Sequence, residues 1–116
     1  MEDIKKDAED NKIMGILAYL GPLVLAPIIA AKDSPFARYH ANQGLILLIA
    51  SIVFSIAMGI INSILLAISW RLLIISVLLG GAVSVGILIL MIIGIMNAAK
   101  GEMKELPYIG KYTILK

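Results

Sequence analysis

The most reactive and polar side chains of this sequence lie together in a short stretch that precedes a long apolar run. Within six residues it holds an arginine, a tyrosine, the single histidine of the chain and a glutamine, namely Arg38, Tyr39, His40 and Gln43. The pair Ser34-Pro35 before them is a typical helix start, because serine caps the first turn and proline suits the first helical position. We expect the helix to carry these four side chains at headgroup depth, as a contact for lipid headgroups or for a partner.

His40 on its own supports neither a metal site nor a catalytic triad. The chain contains no cysteine, so thiolate metal sites and cysteine nucleophiles are excluded. A triad needs a nucleophile and an orienting acid around the histidine, and Asp33 and Ser34 lie too close to it in the sequence. We therefore expect no enzymatic activity, no metal and no cofactor. The alternative role for His40 is a cap that hydrogen-bonds loop backbone or headgroups.

The composition indicates a membrane protein. Hydrophobic residues make up 60% and charged residues 16% of the 116 residues, and the mean hydropathy is +0.98. A soluble domain of this size leaves too much surface exposed to accommodate that apolar content. The ten lysines and arginines are scattered over short polar segments, which is typical of the flanks of membrane helices rather than of nucleic-acid binding. The expected partner is the lipid bilayer, together with other membrane proteins or a second copy, and no nucleic acid.

The charges divide the chain into three apolar segments. Residues 13–31 carry no charge, and residues 44–99 carry one, at Arg71. The longer run must fold back within a hydrocarbon core about 30 Å thick, and it turns best at Trp70-Arg71, because tryptophan prefers the interface and arginine is costly in lipid. The prediction is an all-α, polytopic membrane protein with three transmembrane helices and short polar ends, in a single membrane domain over 1–116. Its expected segments are spans at 13–31, 44–69 and 72–99, an interfacial loop at 32–43 and an interfacial tail at 100–116.

Glycine and proline leave two alternatives for the course of the first segment. Gly21, Pro22 and Pro27 lie inside it, and proline removes a backbone donor and kinks a helix. The favoured alternative is one span that packs against its neighbours or is broken near Pro22, and the other is a re-entrant hairpin. With three spans the two ends lie on opposite sides. Six basic residues against four then place loop 32–43 and the C-terminus of this multi-pass cell-membrane protein in the cytoplasm.

Small residues recur every four positions in the second and third segments. Residues four apart lie on one face of a helix, and small side chains let membrane helices approach closely. The favoured interpretation is packing of the second helix on the third, and the alternatives are a polar-lined path or a face for another membrane protein. The predicted helix-packing residues are Ser51, Ser55, Gly59, Ser63, Ser76, Gly80 and Ser84, with Asn62 as an amide deep in the second span.

The C-terminal tail mixes aliphatic and aromatic residues with lysines, which is typical of a segment that lies in the membrane interface. Pro107 and Gly110 disfavour a continuous helix, so we expect a bent strap. In the three-span arrangement the strap lies on the same side as loop 32–43, and the two can touch. The polar surface that they form is the predicted docking place for a partner or an anionic ligand.

Three pieces of the chain, in order, resemble a family of small prokaryotic membrane proteins. LAYLGPLVLAPII is similar to its opening helix, and ARYHANQGLILL is similar to its aromatic-His-Ala-x-Gln signature, with Gly44 where alanine is expected. The closing motif is matched by Ala98, Gly101, Glu102, Leu106, Pro107, Ile109 and Gly110. That family is related to a Tic-type component of the protein-import machinery of the chloroplast inner envelope. The resemblance implies a non-enzymatic component or accessory of a translocation or transport assembly. The competing hypothesis is a stand-alone structural or protective membrane protein, of immunity or stress type.

Overall fold

The computed structural model describes residues 2–114 of the chain, and every regular element in that part is helical. The molecule is elongated, with extents of 60 × 22 × 21 Å. In chain order the elements are α1 (Glu2–Asp10), α2 (Lys12–Leu17), a 3₁₀ helix (Gly21–Val24), α3 (Leu25–Ala30), α4 (Pro35–Ile68), a 3₁₀ turn (Trp70–Leu72) and α5 (Leu73–Ala99).

Two long helices, α4 and α5, form an antiparallel hairpin that runs the length of the molecule. Pro35–Ile68 and Trp70–Ala99 are both long and apolar enough to cross a membrane. The chain reverses at Ser69, whose side-chain oxygen accepts a hydrogen bond from the backbone N–H of Arg71 at 3.3 Å. The reversal therefore lies where the Trp70-Arg71 pair predicts it.

The first apolar segment is not the single span expected over 13–31. Helix α2 ends at Leu17 and α3 begins at Leu25, so neither is long enough to cross a bilayer. Between them Gly21 takes a φ of 64°, a left-handed conformation that glycine adopts readily, and Pro22 follows in the first turn of the 3₁₀ helix. The glycine and the proline together reverse the chain. The charge-free run of residues 13–31 is as long as a membrane span, but its length does not show that the chain reverses within it.

This first segment folds back on itself, so both of its ends lie at the same end of the molecule. The Asp7 carboxylate in α1 accepts a hydrogen bond of 2.6 Å from the Ser34 hydroxyl and one of 2.9 Å from the backbone N–H of Phe36. Ser34 in turn caps α4, because its hydroxyl oxygen accepts from the N–H of Ala37 at 3.0 Å. The re-entrant hairpin, the less favoured alternative from the sequence, is the arrangement in the structure. The described ends of the chain therefore lie at the same end of the molecule, whereas three spans would place them on opposite sides of a membrane.

Packing is concentrated at one end of the hairpin, which we call the base (residues 5–47 and 94–114). There the re-entrant segment, the first turns of α4, the end of α5 and the tail enclose a small core. The rest of the hairpin, residues 48–93, is the tip half, and most of its large apolar side chains are exposed. Lipid is the solvent that suits such a surface. The buried members of the core are Ala8, Ala18, Tyr19, Val24, Phe36, Ala41, Leu47, Ala98 and Leu106.

Two glycines let the re-entrant segment enter between the long helices. A Cβ atom at Gly44 would overlap the backbone carbonyl of Ala18, and one at Gly94 would overlap the ring of Tyr19. Both positions are buried, on α4 and α5 respectively. The departure from alanine at residue 44 therefore has a structural reason, since only glycine admits the carbonyl at this distance.

Candidate functional site

His40 lies at the centre of the base and is bonded to two distant parts of the chain. It is fully buried on α4. Its Nε2 lies 2.7 Å from the backbone carbonyl oxygen of Glu102, and its Nδ1 lies 2.6 Å from the Tyr19 hydroxyl. Because a carbonyl oxygen only accepts, Nε2 carries the proton and Nδ1 accepts from Tyr19. The rings of Phe36 and Tyr39 pack edge-on against the imidazole, with centroids 4.6 and 5.4 Å away.

This environment keeps His40 neutral. Burial lowers its pKa from 6.5 to about 4, although the hydrogen bond to the Glu102 carbonyl opposes the shift. The residue lies one helical turn before Gly44, where the apolar stretch of α4 begins, and so outside the spanning part of the helix. A neutral imidazole whose two ring nitrogens are both hydrogen-bonded within the chain is suited to joining segments.

Two consecutive amides on α4 hold the tail by its backbone. Gln43 donates from Nε2 to the Gly110 carbonyl at 2.9 Å and accepts at Oε1 from the N–H of Leu106 at 2.9 Å. Asn42 does the same one step further along, donating to the Tyr112 carbonyl at 2.9 Å and accepting from the N–H of Ile114 at 2.6 Å. Each side-chain amide thus supplies one hydrogen-bond donor and one acceptor to backbone groups of the tail, which in a helix or a sheet would bond to other backbone groups.

The segment held in this way, residues 102–114, is the strap, and it has no regular secondary structure. Within the strap, Leu106 is buried, whereas Tyr108 is 94% exposed and has a φ of 70°. A non-glycine residue with positive φ is uncommon and persists where its surroundings fix the backbone. The bent form that Pro107 and Gly110 predict is therefore the form in the structure.

The structure separates the four residues predicted to contact headgroups or a partner. His40 and Gln43 are 0% and 2% exposed, and their polar atoms are bonded within the chain, so these two form an internal joint instead of a contact surface. Arg38 and Tyr39 are half-buried and reach the surface of the base. Asn42 belongs to the joint and was missing from the predicted set. The sequence signal that could have identified Asn42 is its position directly before Gln43, because two adjacent amides that are buried need hydrogen-bond partners.

The small-residue stripes lie in the tip half, where all of the predicted packing residues except Ser51 line an open groove between α4 and α5. The hydroxyls of Ser51, Ser55 and Ser63 donate to carbonyl oxygens four residues earlier in their own helix, at 2.8, 2.8 and 3.0 Å. A Cβ at Gly59 would meet no atom within 4 Å, so this part of the stripe packs against nothing in the chain.

Direct contact between the two stripes is confined to a few positions. The Ser76 hydroxyl donates to the side-chain oxygen of Asn62, and a Cβ at Gly80 would lie 3.6 Å from the terminal carbon of Met58. Ser84 lines the groove near Gly80 and is exposed. The expected packing of the second helix on the third therefore holds for part of the predicted set and leaves an open groove over the rest.

The part of the chain that the structure describes offers no group of three or more His, Asp or Glu side chains able to hold a metal ion.

The sequence profile of MamF/MmsF, described as the magnetosome magnetite crystal formation protein family, matches residues 10–113. The match covers the re-entrant segment, the hairpin and nearly all of the strap. The chain belongs to the MamF/MmsF family.

Individual relatives agree with this membership. MamF magnetosome proteins of Paramagnetospirillum magneticum and Magnetospirillum gryphiswaldense are 29% and 28% identical to it, in each case over 89% of this chain and 82% of the relative. A UPF0132 membrane protein of Methanocaldococcus jannaschii is 33% identical, over 87% of this chain and 83% of its own length. No solved structure matches the chain. The chain is therefore a membrane protein of the MamF/MmsF family.

Membership of the MamF/MmsF family corrects the resemblance to Tic-type import proteins. Two of the three pieces that carried the resemblance are the two halves of the joint, with His40 and Gln43 on α4 and Glu102, Leu106 and Gly110 on the strap. Their side chains and backbone groups bond to one another, so the motifs specify how the tail docks. They carry no information about translocation, and the function that the resemblance implied loses its basis.

Proposed function

We propose that this protein is a non-enzymatic, structural membrane protein that presents a rigid polar base at the membrane surface on an apolar helical hairpin. The observation that carries the proposal is the division of the molecule. The base is packed and cross-bonded, and it holds the strap through the four amide hydrogen bonds of Asn42 and Gln43. The tip half has little internal packing and suits an anchor in lipid.

The charge distribution supports a cytoplasmic base. Of the ten lysines and arginines in the chain, one, Arg71, lies at the turn of the hairpin, and the other nine precede residue 44 or follow residue 99. Basic residues close to span ends favour the cytoplasmic side. The fold-back of the first segment strengthens this bias, because it moves Lys5, Lys6 and Lys12 to the same side as loop 32–43.

The names of the relatives are compatible with the role of a membrane-anchored platform. Two of them are named magnetosome proteins, their family is described by magnetite crystal formation, and the archaeal relative is named a membrane protein. For this chain we propose a location in a membrane and a base that positions other molecules at the membrane surface.

A transport role would have to use the groove of the tip half, and the groove is poorly equipped for it. The hydroxyls of Ser55 and Ser63 donate to their own helix, that of Ser76 donates to Asn62, and the groove faces outward along the hairpin. A path across a bilayer needs polar groups that replace the water around a solute. We therefore favour the structural role over the component of a transport assembly.

Complementation of a deletion strain separates the two roles. A groove-filled variant carrying Ser55→Leu, Gly59→Leu and Ser63→Leu should restore the wild-type phenotype, since these side chains have room and face lipid. A strap-release variant, Gln43→Ala, should fail although it is present in the membrane at the same level. The reverse pattern, with the groove-filled variant inactive and the strap-release variant active, would overturn the proposal.

A further inference from the structure

A cavity of about 510 Å³ opens at the surface of the base, between loop 32–34, the first turns of α4 and the strap. Its size is that of a small-molecule site. The joint residues Asn42 and Gln43 form part of its wall, so the docked strap completes the cavity. The side chains that give it chemical character are Lys32, Asp33, Arg38, Tyr39, Glu105 and Lys111.

Cations from three separate elements converge on this cavity. Lys32 comes from the loop, Arg38 from α4 and Lys111 from the strap. Within residues 2–114 neither lysine is ion-paired, and the Lys111 ammonium lies 5.4 Å from the centroid of the Tyr112 ring. Arg38 also makes an interaction within the chain. Because Arg38 is already engaged, Lys32 and Lys111 are the two cations that can meet a ligand, and the cavity also holds two carboxylates, Asp33 and Glu105.

The position of the cavity along α4, relative to the apolar stretch of the helix, indicates whether its ligand is a lipid or a soluble molecule. Arg38 lies six residues before Gly44, where the apolar stretch begins, which is about 9 Å along the helix. The headgroup region adds about 5–8 Å on each side of the hydrocarbon, so with the apolar stretch in hydrocarbon the cavity lies at the outer margin of the headgroups. Tyr39 and Tyr112 line the same opening, and tyrosine is enriched at this interface.

We propose that this cavity binds the phosphate of an anionic phospholipid headgroup, with Lys32 and Lys111 as the principal contacts and the acyl chains lying along the hairpin. The shared chemistry is a phosphate anion, and the lipid is the source that the depth of the site favours. The inference rests on the proposed function, because it assigns a ligand to the base that this function places at the membrane surface. A bound lipid would fix the strap and the loop to the same point of the bilayer.

Titration of the purified chain in mild detergent tests the site, with native mass spectrometry as the readout. The probes are dihexanoyl phosphatidylglycerol, dihexanoyl phosphatidylcholine and inorganic phosphate. The site variant is Lys32→Gln with Lys111→Gln, and the matched control is Lys5→Gln with Lys6→Gln, two exposed lysines of the base outside the cavity. A second site variant, Lys32→Arg with Lys111→Arg, keeps the charge.

The expected result is phosphatidylglycerol binding about thirty-fold weaker in the glutamine site variant, as about 1 kcal/mol for each lysine near an anionic headgroup implies. The control and the arginine variant should stay within about two-fold of the wild type. Equal losses in the site variant and the control would overturn the inference, as would absence of phosphatidylglycerol binding to the wild type. Inorganic phosphate binding as tightly as the lipid would overturn the lipid assignment. None of these outcomes depends on complementation, so failure of this site is distinguishable from failure of the proposed function.

Discussion

His40 joins three segments of the chain, and its protonation state is therefore coupled to folding. Its hydrogen bonds reach Tyr19 in the re-entrant segment and the Glu102 carbonyl in the strap, and Tyr39 packs on its ring from the next position of α4. Protonation would place a second N–H toward the Tyr19 hydroxyl, which now donates to that nitrogen. The neutral form is thus the one that the joint accommodates.

The first prediction concerns the pH dependence of stability. The pKa of His40 is about 4 in the folded chain and 6.5 in an unfolded one, so between these values the unfolded state binds more protons. The free energy of unfolding should therefore be highest above pH 6.5 and should fall by about 3 kcal/mol as the pH drops to 4, from about 1.4 kcal/mol per pH unit. Chemical unfolding in mixed micelles, followed by tyrosine and tryptophan fluorescence, measures it.

The control for this prediction is His40→Gln, which does not titrate in this range. Since His40 is the single histidine of the chain, the carboxylates are the main groups that titrate beside it, and they are the same in both proteins. The slope of unfolding free energy against pH should be smaller in the variant. Identical slopes in the two proteins would contradict the assigned role of His40.

The second prediction uses two glycines of the same helix. Gly44→Ala should destabilise the fold, because a Cβ there overlaps the Ala18 carbonyl and a rigid backbone cannot move aside cheaply; overpacking of this kind costs about 1–3 kcal/mol. Gly59→Ala should be neutral or should stabilise by about 0.5–1 kcal/mol, since its surroundings are open and alanine favours the helix. Thermal unfolding by circular dichroism compares them. Equal effects would show that the re-entrant segment does not enter at residue 44.

At the scale of elements, the strap depends on side chains that lie far from it in the sequence. The hydrogen bonds of Gln43 and Asn42 join residues 63 to 72 positions apart. Because the strap has no internal ladder or helix, removal of these bonds leaves its backbone groups without partners. Its docking should therefore respond to single substitutions on α4.

The third prediction is that Gln43→Ala opens the strap to protease. Leu106 N–H and the Gly110 carbonyl lose their partners, and each buried polar group left unsatisfied costs about 1–3 kcal/mol. Trypsin cleavage at Lys104 and Lys111 should accelerate at least about tenfold, since cleavage follows the population of the open form. Ser55→Ala, an exposed change in the tip half, should leave the rate as in the wild type. A Gln43→Ala chain as resistant as the wild type would show that the strap is held by other contacts.

The elements show which parts of the fold a sequence can predict. The hairpin and its turn followed from local rules, because the length of the apolar run and the pair Trp70-Arg71 are both readable in a short window. The course of the first segment followed only in part, since Gly21 and Pro22 indicated a break, whereas the apolar length of 13–31 favoured a span over the fold-back that the break produces. The strap was predicted as a bent tail, but its partners were not, because pairing of amides with a distant backbone leaves no periodic pattern.

At the scale of the whole molecule, the two halves face different solvents. The base encloses buried aromatic and amide groups, whereas the tip half exposes residues such as Ile56, Leu78 and Val85 by more than half. In lipid this exposure carries no hydrophobic cost, so the hairpin needs little packing of its own. The re-entrant segment places the two described ends of the chain at the base, where Lys5 of α1 and Lys100 at the end of α5 line one small cleft.

The fold-back of the first segment fixes the sidedness of the chain in a membrane, and because the chain has no cysteine, single introduced cysteines can report it without background labelling. Three single-cysteine variants, Lys5→Cys, Ser69→Cys and Thr113→Cys, are treated with a membrane-impermeant maleimide before and after permeabilisation. The re-entrant fold predicts that residues 5 and 113 react from one side and residue 69 from the other, and a cytoplasmic base predicts that residue 69 alone reacts in intact cells. Reaction of residues 5 and 113 from opposite sides of the membrane would contradict the fold-back of the first segment and restore three spans.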